Sequence, residues 1–114
     1  ALLVADGVQA ARAAGHAIKG FKAGGGLAAL DWLVAAQADI LQEKVYRLKE
    51  QEATALGAAA LAAEAAGLPW HARLRAQAVG RVFKPRISAE AARRLHGDWD
   101  KFVSAQQALA KELA

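Results

Sequence analysis

The sequence predicts an α/β domain, helix-rich and carrying at least two parallel strands. Three observations carry that expectation. Long runs with apolar residues at helical spacing alternate with two short runs, 18–22 and 43–48, that hold aromatic and β-branched residues. Three consecutive glycines, Gly24, Gly25 and Gly26, stand between the first short run and the helical run behind it. A single helical crossover separates the two short runs, the arrangement that sets strands side by side in parallel with a right-handed connection. Two strands make a poor sheet, so the domain is either mainly helical or draws further strands from elsewhere.

In chain order, residues 2–14 hold Leu2, Leu3, Val4 and Val8 among alanines and read as a helix that stops at Gly15. Its small polar face predicts burial. Ile18 to Lys22 reads as a strand bounded by glycines. After the triplet, residues 27–41 carry Leu27, Leu30, Val34 and Leu41 at helical spacing, with Leu33 and Ile40 widening the stripe. Residues 43–48 form the second strand, centred on Val45 and Tyr46. The alanine-rich run 54–63 is helical, and Gly57 inside it costs about 1 kcal/mol relative to alanine, which suggests close approach to a sheet or a nucleotide. Gly67, Leu68 and Pro69 end that helix. Residues 70–80 read as a short helix or irregular loop, and 81–86 as extended, because a residue before Pro85 is steered away from helix. Ser88 is a good N-cap for a helix over 89–113, with Glu90 in the first turn. Leu95, Trp99, Phe102, Val103, Leu109 and Leu113 give that helix an apolar face in need of a covering surface, so self-association or contact with another lobe is expected.

At 114 residues the chain is one domain or a part of one, long enough to bury roughly two-thirds of its unfolded surface. The absence of cysteine excludes disulfides, cysteine-ligated zinc and thiol chemistry. With no methionine, even at position 1, the chain reads as an excised, processed or partial product. It has no secretory signal and no apolar run able to span a bilayer, which predicts a soluble, cytoplasmic chain without a membrane partner. The net charge of +4 concentrates in Arg73, Arg75, Arg81, Lys84, Arg86, Arg93 and Arg94, with Glu90 the one acid among them. A solvated face explains such a cluster more simply than nucleic-acid binding.

Candidate chemistry centres on the glycine turn. Glycines between a strand and a helix let a phosphate or sugar approach the backbone, with N–H groups at the helix start facing it, although a flexible connector has the same composition. His16, His71 and His96 lack the spacing of a metal site. Asp31 and Asp39 are eight positions apart and read as exposed helix acids. Ser88 and Thr54 read as capping residues, and Trp70, Trp99 and Phe102 as core or interface anchors.

Several blocks also fall in one order: Gly24-Gly25-Gly26, Trp32-Leu33, Gln37-Ala38-Asp39-Ile40-Leu41, Val45-Tyr46-Arg47, Glu52 through Ala59 (with Thr54-Ala55-Leu56-Gly57-Ala58-Ala59), Arg81 through Ser88, and Gly97-Asp98-Trp99. Together they resemble the C-terminal part of the glycerol kinase family, carbohydrate kinases with the actin-like ATPase (ribonuclease H-like) fold. The resemblance implies that residues 1–114 are the nucleotide-side portion of such a domain, incomplete as it stands. It implies ATP or ADP as ligand, with Mg²⁺ held by the complete protein and not by this chain alone. It places Gly24, Gly25, Gly26 and Leu30 beside the nucleotide, Gly25 and Gly26 being the positions carried over next to the adenosine and α-phosphate. The helix holding Gly57 would cover the sheet beside them. The family's reaction is phosphoryl transfer from ATP to glycerol. Its aspartate base lies upstream of this segment, so no catalytic residue is assigned here and an N-terminal lobe or complementary chain is the implied partner. Gly24 stands where the family usually has aspartate, and Leu30 where it has an asparagine near the adenine. A purine at Leu30 would be held by packing and backbone contacts. Two other readings stay open: an alanine-rich helical module whose basic face binds an acidic partner, and a relative that keeps the fold without the ligand.

Overall fold

The structure, a computed structural model, describes residues 1–49, 52–70 and 78–114. The elements run α1 (Leu2–Ala13), β1 (Phe21–Ala23), a single 3₁₀ turn (Gly26–Ala29), α2 (Asp31–Leu41), β2 (Val45–Leu48), α3 (Ala53–Ala65), β3 (Val79–Phe83) and α4 (Ala89–Leu113). The strands form one mixed sheet in the order β1-β2-β3. β1 and β2 pair in parallel, Phe21 opposite Val45 and Ala23 opposite Arg47. β3 runs antiparallel to β2, Phe83 opposite Val45 and Arg81 opposite Arg47, with a register break between Arg47 and Leu48. The parallel pair matches the sequence expectation. The third strand is the extended run before Pro85, which the pattern identified as extended without placing it in the sheet.

The core lies between α2 and one sheet face. Val34, Ala35 and Ala38 of α2 pack on Val45 and Phe83, with Phe21, Ala23 and Leu41 around them. Ala38 is wholly buried, so α2 approaches the sheet through a side chain of minimal size. α1 and α4 flank α2, joined to each other by the indole N–H of Trp99, which donates to Asp6 Oδ2 at 2.6 Å.

Helix ends follow their local chemistry. α1 closes at Gly15, with the His16 N–H on the Ala11 carbonyl (3.1 Å) and the Gly15 N–H on the Arg12 carbonyl (3.0 Å). α3 repeats the pattern at Gly67, through Leu68 N–H to Ala63 O and Gly67 N–H to Glu64 O. Ser88 caps α4, its Oγ accepting the Ala91 N–H at 3.1 Å. α2 departs from the rule, ending on Gln42 at φ 55 instead of on a glycine. There the Gln42 side chain donates to the Asp39 carbonyl at 2.6 Å and to the Ile87 carbonyl at 3.3 Å, which offsets the cost of the left-handed backbone.

Several expectations are corrected. β1 begins at Phe21, because Ile18 to Gly20 find no ladder partner. The helical run assigned from residue 27 begins at Asp31, and Leu27, the first residue of the expected stripe, is 70% exposed. α1 is not buried: Ala5 alone among its residues is, and Leu3 and Val4 face outward. A Cβ at Gly57 would meet nothing within 4 Å, so among the described residues no strand approaches it. Thr54 does not cap α3, whose N-cap is Glu52. Of the α4 face, Leu95, Phe102, Leu109 and Leu113 are exposed. Phe102 stacks on Trp99 at 5.7 Å between centroids instead of entering the core. Most of the ambiguous segment, with His71, Arg73 and Arg75, lies outside the described residues, although Val79 and Gly80 belong to β3.

Candidate functional site

Parallel strands β1 and β2 end at one edge of the sheet, the edge at which open α/β sheets receive ligands. Gly24, Gly25 and Gly26 continue directly from β1 at that edge. Gly25 adopts φ 89, ψ 171, a conformation close to inaccessible for any residue with a Cβ. Its carbonyl accepts the Ala28 N–H at 3.0 Å, winding the 3₁₀ turn. Leu30 follows in extended conformation and starts α2, its carbonyl accepting the Leu33 and Val34 N–H groups. Among the described residues no side chain caps the N-terminus of the 3₁₀ turn or of α2. A Cβ built at Gly25 or Gly26 would point into open space. A cavity of about 150 Å³ opens beside the turn, lined in part by Gly24, Leu27, Leu33 and Gln37. The fold thus gathers the three glycines at the edge where the parallel strands β1 and β2 end. Leu30 stands at the start of α2, 40% exposed, and does not line that cavity.

Two carboxylates on α2 organise arginines of the sheet and of the loop after β3. Asp31 pairs with Arg47 of β2 (2.5 Å, Oδ1 to Nη1) and, through Oδ2, with Arg81 of β3. The Arg47 guanidinium, with Arg81 as a second partner, holds the Asp31 carboxyl below its ordinary range. Both arginines lie over the Phe83 ring, at 5.4 and 4.7 Å from its centroid. Asp39 is the more deeply set, 6% exposed. It accepts the Arg86 backbone N–H at 2.6 Å, Nη2 at 2.6 Å and Nε at 3.1 Å. Arg86 lowers the Asp39 pKa and is itself raised by the carboxylate. The expectation of an exposed acid therefore fails for Asp39. Its sequence signal was position: four residues after Ala35, it sits on the stripe α2 buries, where an acid needs a cation. Arg81 and Arg86, read from sequence as part of a solvated face, are tied to α2 through these acids.

Among the described residues no group of three or more His, Asp or Glu side chains is placed to hold a metal ion, and no helix is long and apolar enough to cross a membrane. His96 Nε2 lies 3.4 Å from the Ile40 carbonyl, a contact between α4 and the end of α2.

The sequence comparisons cover the segment that holds the glycine turn and extend well beyond it. The FGGY family of carbohydrate kinases, C-terminal domain, matches residues 1–66, which run from α1 through the glycine turn to the end of α3. The chain belongs to that family. Its helix-rich mixed sheet is accordingly a portion of the actin-like ATPase, ribonuclease H-like fold. Relatives named glycerol kinase extend the similarity towards the C-terminus. The protein of Alkalilimnicola ehrlichii is 43% identical over 90 residues, 79% of this chain and 18% of the relative. That of Azotobacter vinelandii is 39% identical over 112 residues, 96% of this chain and 22% of the relative. That of Pseudomonas fluorescens strain SBW25 is 41% identical over 93 residues. The chain thus spans about a fifth of the length of the curated relatives it matches.

Proposed function

We propose that this FGGY-family chain is the nucleotide-side portion of a glycerol kinase-like polyol kinase, and that Gly24, Gly25 and Gly26, with Leu30, lie against ATP or ADP. The observation that carries this reading is Gly25 at φ 89 directly after a parallel strand, leading into helical turns whose N-termini no side chain caps among the described residues. Backbone N–H groups at such a start favour an anion, and the lack of side chains lets a nucleotide approach them. With Gly24 and Leu30 in place of polar residues, the chain contributes backbone donors and apolar contact to the purine and no side-chain hydrogen bond. The cavity at the turn, about 150 Å³, is smaller than a nucleotide pocket, which is consistent with walls supplied by the remainder of the kinase.

In the intact protein the reaction would be phosphoryl transfer from ATP to glycerol, driven by positioning and charge stabilisation. This chain would hold one side of the nucleotide. The base, the polyol pocket and the groups that hold Mg²⁺ with the β- and γ-phosphates belong to an N-terminal lobe, the principal partner. We place the protein in the cytoplasm, where ATP is available, and regard the exposed apolar face of α4 as a surface for that lobe or for a second copy.

Calorimetric titration of ATP and ADP with Mg²⁺ into the intact protein and its Gly25→Val variant tests the reading. Valine at φ 89 forces the turn to rearrange, at a cost of about 1–3 kcal/mol in backbone strain, and nucleotide binding should fall at least tenfold. Unchanged affinity in a folded Gly25→Val protein would refute the assignment.

A further inference from the structure

A second and larger cavity, about 560 Å³, lies on the other flank of α2, between that helix and the end of β3 with the loop that follows. Its walls include Asp31 and Trp32 of α2 and Arg81, Phe83, Lys84 and Arg86. It shares no residue with the cavity at Gly24. At 100° per residue, positions 31, 32 and 35 occupy the side of the helix opposite 33, 34 and 37.

The chemistry of this groove is cationic and aromatic. Three cations, Arg81, Lys84 and Arg86, meet two carboxylates, Asp31 and Asp39. The Arg81 and Arg86 side chains stay 55% and 63% exposed despite their ion pairs, and Lys84 is exposed and forms no ion pair among the described residues. The guanidinium groups are fixed in place, Arg86 by Asp39 and Arg81 by Asp31 and the Phe83 ring, so little side-chain freedom is lost when an anion meets them. Trp32, 67% exposed, stands in the same wall. The volume is that of a small-molecule site. One compact cluster of cations suits a single phosphate better than a tracked polyanion, which needs charges in succession along a groove.

We propose that this groove is a second ligand site, one that takes a small phosphate ester with its planar ring on Trp32 and its phosphate against Arg81, Lys84 and Arg86. It is separate from the glycine turn and does not depend on nucleotide binding there.

Phenyl phosphate, which carries a ring and a phosphate without a purine, and inorganic phosphate are the probes, titrated calorimetrically into the intact protein. Phenyl phosphate should bind saturably and about tenfold or more tighter than inorganic phosphate, the range of an aromatic stack. Trp32→Ala should abolish that difference, and Lys84→Glu should weaken both probes at least tenfold. Both side chains are exposed, so both variants retain the fold, checked by circular dichroism. Gly25→Val should weaken both probes far less than Lys84→Glu does, which separates this site from the nucleotide assignment. Absence of saturable binding to the folded intact protein would overturn the proposal. So would indifference to Lys84→Glu and Trp32→Ala, binding confined to oligonucleotides, or equal loss on Gly25→Val.

Discussion

Removing either partner of the Asp39–Arg86 pair should loosen the loop between β3 and α4, and the two removals should differ in size. Asp39, 6% exposed, accepts the Arg86 backbone N–H and its guanidinium. Each hydrogen bond to a charged group is worth about 1.5–3 kcal/mol, and the set is not additive. In Asp39→Ala the guanidinium, already 63% exposed, recovers water, and the expected cost is about 2 kcal/mol. Arg86→Ala instead leaves a buried carboxylate with backbone donors alone. A carboxylate set at 6% exposure that loses its cation cannot return to water as the guanidinium does, so Arg86→Ala should be the more destabilising of the two. Urea unfolding of the intact protein, monitored by circular dichroism, measures both. The pH dependence has a fixed sign. Arg86 lowers the Asp39 pKa from an ordinary 3.8, so on acidification the unfolded carboxyl takes up its proton first. The stabilisation is complete above about pH 5 and disappears as pH falls through the lowered value. Asp39→Asn lacks this titration, so its deficit against wild type should shrink in acid. A deficit constant from pH 7 to pH 3, or an Arg86→Ala variant milder than Asp39→Ala, would refute the reasoning.

Further outcomes follow from single positions. Gly57→Ala should stabilise α3 by about 1 kcal/mol, since a Cβ there meets nothing within 4 Å; destabilisation in urea unfolding of the intact protein would show that another segment packs on it. Ser88→Ala should cost about 1 kcal/mol by removing the acceptor of the Ala91 N–H, seen as a lower urea midpoint with unchanged slope. Phe83→Ala should cost about 3–4 kcal/mol, because a 7% exposed ring on the α2 face of the sheet is deleted, with a similar fall in the urea midpoint expressed as free energy.

What could be read in the sequence was local. Gly15, Gly67 and Ser88 name helix boundaries because each satisfies a defined set of end groups through its own backbone or side chain. The parallel pair was legible from the order of elements, and the glycine turn from composition alone. What could not be read depends on partners distant in sequence. Leu27 and Leu30 have helical spacing, yet Gly25 starts a 3₁₀ turn that delays α2 to Asp31. Asp39 is eight residues from Asp31, and nothing in that spacing tells which of the two faces Arg86, 47 residues away. The cavity beside Trp32 needs β3 to return antiparallel to β2, a pairing fixed by Val45 against Phe83. Gln42 takes a left-handed backbone where a glycine would announce the turn, because its side chain reaches Ile87.

The bond from Trp99 to Asp6 spans 93 residues. On a ribosome adding about 5–20 residues per second, Asp6 would wait roughly 5–20 seconds for its indole partner to be synthesised. During that interval α1 is held by contacts such as Gln37 on the Ala1 carbonyl, Arg12 with Glu43, and Arg12 over the Phe21 ring. α1 is therefore tied to α4 only after β1, α2, β2, α3 and β3 have all been synthesised.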